Sequence, residues 1–262
     1  MKSIWLQENS WKEIEEYLRG EKTVIIPIGS TEQHGPGLPL GLDSYVAISL
    51  AEDVAKQTGT LLTPPIWFGD SPHHMAFPGT ISIRTETLSE YIKDVIRSLV
   101  KHGFKNILII NGHKITNLDA LHTATRNLKE FEFPEVFMAV IDPIKIGSEV
   151  ANKVKEEKEH HSGELEASQM LYKYPELVDL KEIPKINPNL EEKYSKFMKS
   201  DLFAGGDSID IVWSSKEQKR FTENTGAFSD ASKATKEKGK LYHDEMVRKI
   251  IEFIDWLKSK GT

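Results

Sequence analysis

The spacing of apolar positions changes rhythm repeatedly along this chain. Ser10-Trp11-Lys12-Glu13 has the spacing of a capping box and Gly20 stands where a helix ends, which predicts a short helix over 10–19. A continuous run, Thr23-Val24-Ile25-Ile26-Pro27-Ile28, stops at Gly29, as a buried strand does. Ala47, Leu50, Ala51 and Val54 then recur at helical spacing up to Gly59. Residues 61–66 form a second strand candidate, with Pro64-Pro65 at its end. Leu88, Tyr91, Ile92, Val95 and Leu99 mark a further helix, closed by Gly103. Residues 105–111 give the clearest buried strand, 117–130 the next helix and 136–141 a fourth strand. Four repeats of strand, loop and helix predict an α/β chain with a parallel sheet covered by helices on both faces.

The second half is less regular. Residues 152–160 are dense in charge and read as a solvated helix or loop, whereas 163–172 has helical character. Clusters of Pro, Asn, Gly and Ser across 181–230 read as long loops rather than a separate core. Val247, Ile250, Ile251, Ile254 and Leu257 define a C-terminal amphipathic helix. With no internal repeat, one domain over 1–262 is the expectation.

Composition narrows the classes. Lys plus Arg is 34 and Asp plus Glu is 40, a net charge of −6 with the basic residues scattered, which disfavours nucleic acid as a partner. The absence of cysteine excludes disulfides, thiol nucleophiles and Cys-based metal sites. Apolar runs fall far short of a membrane span, and the polar N-terminus does not resemble a signal peptide, so a cytoplasmic protein is expected. Plentiful Lys and Glu with scarce Gln lean toward a thermophilic source.

In parallel sheets ligands gather at the carboxyl ends of the strands, where three loops here are rich in functional groups. One runs from Gly29 to Asp43 through Glu32-Gln33-His34, one carries Ser71, His73 and His74, and one is Asn111-Gly112-His113-Lys114. A fourth cluster, His160-His161-Ser162-Gly163-Glu164, precedes a helix. Glu32, His34, Asp43, His113 and Glu164 are a set of carboxylates and imidazoles suited to zinc or manganese. Three carboxylates and a bridging hydroxide balance the charge of two divalent ions, and such a pair yields a hydroxide nucleophile near neutral pH. Neither Cys nor a Gly-x-Ser-x-Gly elbow is present, so activated water is the expected nucleophile. Lys114, next to His113, either stabilises an oxyanion or enolate or points to solvent.

Taken in order, Glu32-Gln33-His34-Gly35-Pro36, Asp43, Phe77-Pro78-Gly79-Thr80, Asn111-Gly112-His113 and His161-Ser162-Gly163-Glu164 resemble the creatininase (creatinine amidohydrolase) family. The resemblance implies a Rossmann-like three-layer α/β/α fold, two divalent metals, ring-opening hydrolysis and a homohexamer. It places Glu32, Asp43 and His113 on one metal and His34, the bridging Asp43 and Glu164 on the other. It also implies His161 near the reacting group as a proton carrier and Ser71 in contact with substrate. Two departures stand out. Gly37 replaces a common histidine, which is expected to leave room beside the metals, and Ile115 stands where creatininase has a metal-binding Glu.

The resulting expectation is a two-metal hydrolase that opens a small polar ring at a cyclic amide C–N bond, creatinine itself being disfavoured. The alternatives are C–C cleavage of a cyclic polyol diketone such as 3-dehydro-scyllo-inosose, in inositol catabolism, or a non-catalytic metal- or sugar-binding protein. Trp67, Phe68, Ser71, Phe203, Asp207, Ser208 and Trp213 supply the flat faces and polar groups a ring of sugar size would meet.

Overall fold

A computed structural model describes residues 2–186, 201–203 and 212–260; Asp207 and Ser208 lie outside them. The chain order is α1 (Trp11–Gly20), β1 (Thr23–Ile28), α2 (Leu42–Thr58), β2 (Leu61–Leu62), α3 (Thr85–Lys101), β3 (Asn106–Asn111), α4 (Thr116–Phe131) and β4 (Phe137–Ile141). It continues with α5 (Pro143–Val154), α6 (Glu164–Lys173), α7 (Ser215–Phe221) and α8 (Lys236–Ser259). The strands form a parallel sheet in the order β2-β1-β3-β4.

Alternation along the strands sorts the core into two layers. Ile25, Leu62, Leu108, Ile110 and Ile141 face α2, α6 and α8. Val24, Ile26, Ile28, Leu61, Ile107 and Ile109 face α3 and α4. Burying each such side chain contributes about 1.5–3 kcal/mol, which explains why these strands read as unbroken apolar runs. The result is the three-layer α/β/α arrangement.

Several boundaries differ from the sequence reading, each for a local reason. β2 ends at Leu62 before Pro64-Pro65, and Ile66 rejoins β1 only through a single bridge to Ile28. α5 begins in the stretch after β4 because Asp142 caps the Ile144 amide and Pro143 takes the first helical position. α7 lies within the expected loops, started by a capping box between Ser214 and Glu217. α8 starts eleven residues before Val247, at Lys236, capped by Thr235. Its Gly239 is pressed on α6, where an added Cβ would lie 1.8 Å from the Ser168 carbonyl oxygen. Trp11 is 71% exposed, whereas His243 is fully buried between Gln169 and Asp53.

The chain leaves β1 toward β2 on one side and returns to β3 on the other. The order therefore reverses between β1 and β3, where a crevice opens at the strand ends.

Candidate metal centre

Close backbone contact builds the site. α2 begins at Leu42, so Asp43 sits in its first turn rather than in the preceding loop. The helix start lies directly on the loops after β1 and β3. A Cβ at Gly29 would meet the Ser44 nitrogen at 2.3 Å, and one at Gly112 the Asp43 carbonyl oxygen at 1.9 Å. Only glycine permits that approach, which carries the Asp43 carboxylate between Glu32 and His113.

Glu32, His34, Asp43 and His113 are all buried. His34 Nε2 lies 3.3 Å from Asp43 Oδ1 and His113 Nδ1 2.9 Å from Asp43 Oδ2. His113 Nδ1 is also 3.5 Å from Glu32 Oε1. On both rings the other nitrogen is committed to the backbone. His34 Nδ1 donates to the Glu32 carbonyl at 3.1 Å, and His113 Nε2–H points to the Asp70 carbonyl at 3.0 Å and the Thr116 hydroxyl at 2.7 Å. A carbonyl only accepts, so each inward nitrogen of a neutral ring presents a lone pair, the form a metal needs.

The electrostatics call for a cation. Burial opposes charge on His34, yet Asp43, Glu166 and Glu32 outweigh it and push its pKa up to about 9. His113 is likewise pushed up to about 9 against burial, by Glu32 and Asp43. Burial raises Glu32 to about 7, with His113 working against it. For Asp43, burial is overcome by His34 and His113, which hold it well below the usual carboxylate range.

Two donor sets share Asp43: Glu32, Asp43 and His113, and His34, Asp43 and Glu166, with the atoms of each set within 4.8 Å of one another. The second set corrects the expectation for Glu164. That carboxylate is buried but turned away, accepting from the Glu156 and Glu157 amides at 2.8 Å each and from Lys238. Two residues further on, Glu166 faces His34 instead. Ser162, at φ 61°, joins the two: its amide donates to Glu166 at 2.6 Å and its hydroxyl to the His34 carbonyl at 2.6 Å. Oxygen and imidazole donors in these numbers fit divalent zinc or manganese.

Lys114 is half-buried and its ammonium is held by carboxylates rather than free to meet a developing anion. Its ammonium lies 2.5 Å from Glu166 Oε1 and 3.6 Å from Glu159 Oε1, and those carboxylates, against burial, hold it above the usual lysine range. Glu159 is fully buried in the segment expected to be solvated, where it caps the start of α6 through the Leu165 amide at 2.9 Å. His161 also lies at this cluster. Its Nε2 donates to the Gln33 carbonyl at 2.7 Å, leaving Nδ1 as the lone-pair nitrogen 3.7 Å from Glu32 Oε1. Ser71 is fully buried behind Glu32, its hydroxyl 2.5 Å from that of Ser30, rather than open to a ligand. Trp213 packs edge-on against Phe221 at 4.6 Å, on the helix whose Gln218 reaches His74.

His73 and His74 both border the centre. His74 is buried with Nε2 3.4 Å from Glu32 Oε1, and His73 stacks over His113 at 6.3 Å. Gly37 leaves no extra room: a Cβ there would meet the Asp179 oxygen at 2.8 Å and the Ile183 nitrogen at 2.9 Å. Ile115 is 54% exposed and strained at φ 66°.

Comparison with known proteins shows the family and the fold. The sequence profile of the Creatininase family, described as creatinine amidohydrolase, matches residues 7–254. The 3-dehydro-scyllo-inosose hydrolase of Thermotoga maritima is 32% identical over 186 residues, which is 67% of this chain but 58% of that protein, under two thirds of its length. The creatinine amidohydrolase of Pseudomonas putida is 27% identical over 269 residues, 97% of this chain and 96% of that protein. A solved structure of a mutant creatininase, Zn–Zn type, superposes with a TM-score of 0.79 at 26% identity, covering 97% of this chain and 98% of that one. The chain belongs to the creatininase family of hydrolases.

Proposed function

We propose that this protein opens a small polar ring at a cyclic amide C–N bond, using two divalent ions, zinc or manganese. The carrying observation is the pair of donor sets that share Asp43 at the ends of β1 and β3. Glu32, Asp43 and His113 hold one ion, and His34, Asp43 and Glu166 the other. When bound, such ions lower the pKa of water and polarise a carbonyl. His161 keeps its proton on Nε2, against the Gln33 carbonyl, and so offers Nδ1 to take a proton and pass it to the leaving nitrogen. Lys114 fixes Glu166 and is not the anion-stabilising group. Ser71 and Ser30 order Glu32 from behind.

A second reading keeps the same residues but cleaves a C–C bond between two carbonyls of a cyclic polyol. The 32% identity to the inosose hydrolase supports it. His161 then delivers the proton to an enolate carbon. Because Glu166 supplies the donor that Ile115 lacks and Gly37 opens no space, creatinine remains a fair candidate.

The test is a panel of lactams, hydantoins, creatinine and cyclic polyol diketones, given to metal-stripped and metal-reloaded protein, with products identified by mass spectrometry. Turnover confined to the diketones replaces the C–N reading with the C–C one. Full activity after exhaustive chelation overturns both. Among the described residues no helix is long and apolar enough to cross a membrane. We expect a homohexamer, to be checked by light scattering on the eluted protein.

A further inference from the structure

Four imidazoles converge on one carboxylate oxygen. Glu32 Oε1 lies 3.9 Å from His34 Nε2, 3.4 Å from His74 Nε2, 3.5 Å from His113 Nδ1 and 3.7 Å from His161 Nδ1. They are not equivalent. In His34, His113 and His161 the outer nitrogen faces a backbone carbonyl, which fixes the proton outside and the lone pair inside.

His74 is wired the other way round. Its outer nitrogen, Nδ1, lies 2.8 Å from the side-chain nitrogen of Gln33. The orientation of that amide is fixed independently, because its oxygen accepts from the Gly35 amide at 3.0 Å and its nitrogen donates to the Gly226 carbonyl at 2.9 Å. Gln33 Nε2 also lies 3.0 Å from His161 Nε2, but that nitrogen donates to the Gln33 carbonyl and cannot accept, so the second hydrogen of the amide is offered to His74. Gln218 presents a second amide nitrogen to the same Nδ1, 3.1 Å away. Turning that amide over would set its oxygen against a lone pair; as placed, its oxygen is buried without a hydrogen-bond partner. The independently oriented Gln33 donor requires a lone pair on His74 Nδ1, and Gln218 as placed is compatible with it. The proton of the neutral ring then sits on Nε2, the nitrogen nearest Glu32.

We propose that His74 is not a metal ligand but the fixed N–H donor of the centre, a positioning residue that holds Glu32 Oε1 in place through its Nε2–H. This rests on the reading of the cluster as a metal centre. It separates His74 from the neighbouring ligand imidazoles, although sequence chemistry and distance alone make all four look alike. Gln33 and Gln218 are the residues that decide the difference.

The test uses 15N-labelled protein loaded with 113Cd2+ and long-range proton–nitrogen spectra of the histidine rings. The expected spectrum shows His74 protonated at Nε2 only and uncoupled to cadmium, with His34 coupled through Nε2 and His113 through Nδ1. Cadmium coupling at His74, or a proton on its Nδ1, overturns the proposal and leaves the metal centre standing. No coupling at any histidine overturns the centre itself. In parallel, zinc affinity is measured by chelator competition on folded variants. His74→Phe should bind about 10–100-fold more weakly, the range for lost outer hydrogen bonds, and His74→Gln, which restores an N–H, should recover most of that loss. Unchanged zinc affinity in His74→Phe would also overturn the proposal.

Discussion

Two neighbouring groups of buried carboxylates are neutralised in opposite ways. At the ends of β1 and β3, the ion pairs of Glu32 and Asp43 among the described residues are with histidines. At the start of α6, Glu166 and Glu159 share Lys114, and Glu164 has Lys238. A buried carboxylate without a countercharge costs several kcal/mol, so each group needs a cation. The second carries its own on the chain. The first must take up protons or bind an ion, and its imidazoles are already turned for the latter. Identical residue types thus become a salt bridge or a candidate metal site according to whether a lysine is built in. Glu166 belongs to both: one oxygen meets Lys114 and the carboxylate also faces His34 and Asp43.

The sharpest way to break this contrast is Asp43→Ala. It removes the carboxylate common to both donor sets, so zinc affinity should fall by more than about 100-fold, beyond the usual loss for an outer-sphere change. Elemental analysis after dialysis should find neither ion retained. Retention of two ions would refute the shared-ligand arrangement.

Lys114→Met tests the other side. Leaving Glu159 and Glu166 buried without their cation should destabilise the fold by about 3–5 kcal/mol, a fall in melting temperature of roughly 10 °C for a chain of this size. Normal melting with lost turnover would instead make Lys114 a catalytic cation. Glu166→Gln and Glu164→Gln sharpen the distinction within α6. The first should lose one equivalent of metal. The second should keep both ions and lose only about 1–3 kcal/mol of stability, since it breaks a buried charged hydrogen bond.

Protons compete with the ions. His34 and His113, pushed up to about 9, are charged in the metal-free protein at neutral pH. Metal must displace those protons, so affinity rises with pH up to about 9 and levels off above it. Zinc binding at neutral pH should release at least about two protons, from His34 and His113 with a further part from Glu32, seen as a binding heat that varies with the ionisation enthalpy of the buffer. A heat indifferent to the buffer would mean both rings are already neutral. The smallest effect belongs to Ile115. Its replacement by Gly relieves a β-branched residue at φ 66° and should stabilise the protein by about 1 kcal/mol in denaturant titration.

Much of this was legible in the chain. The runs at Thr23–Ile28 and Asn106–Asn111 announce buried parallel strands because period-two burial on both faces leaves no polar positions. The strand-end placement of Glu32, His34 and His113 follows from that pattern. α5 carried its Asp-Pro start signal in plain view, but the charged positions that follow obscured its helical face. Asp43 read as a loop residue because its helix starts ahead of its first apolar stripe.

The choice between Glu164 and Glu166 was not local. Both stand in the first turn of α6, and the two positions between them, about 200° of helical phase, turn them toward Lys238 or toward His34. A sequence states which donors exist and roughly which strand ends they leave. Which carboxylate meets a lysine, and which histidine nitrogen keeps its proton, depends largely on partners distant in sequence, as Glu166 with Lys114, Glu164 with Lys238, and Gln33 with Gly226 and His161 show. Composition and hydrophobic period therefore determined the layers and the chemical class of the site. The proposed division of that site into ligands, donor and salt bridge rests on long-range contacts that exist only once the layers have packed.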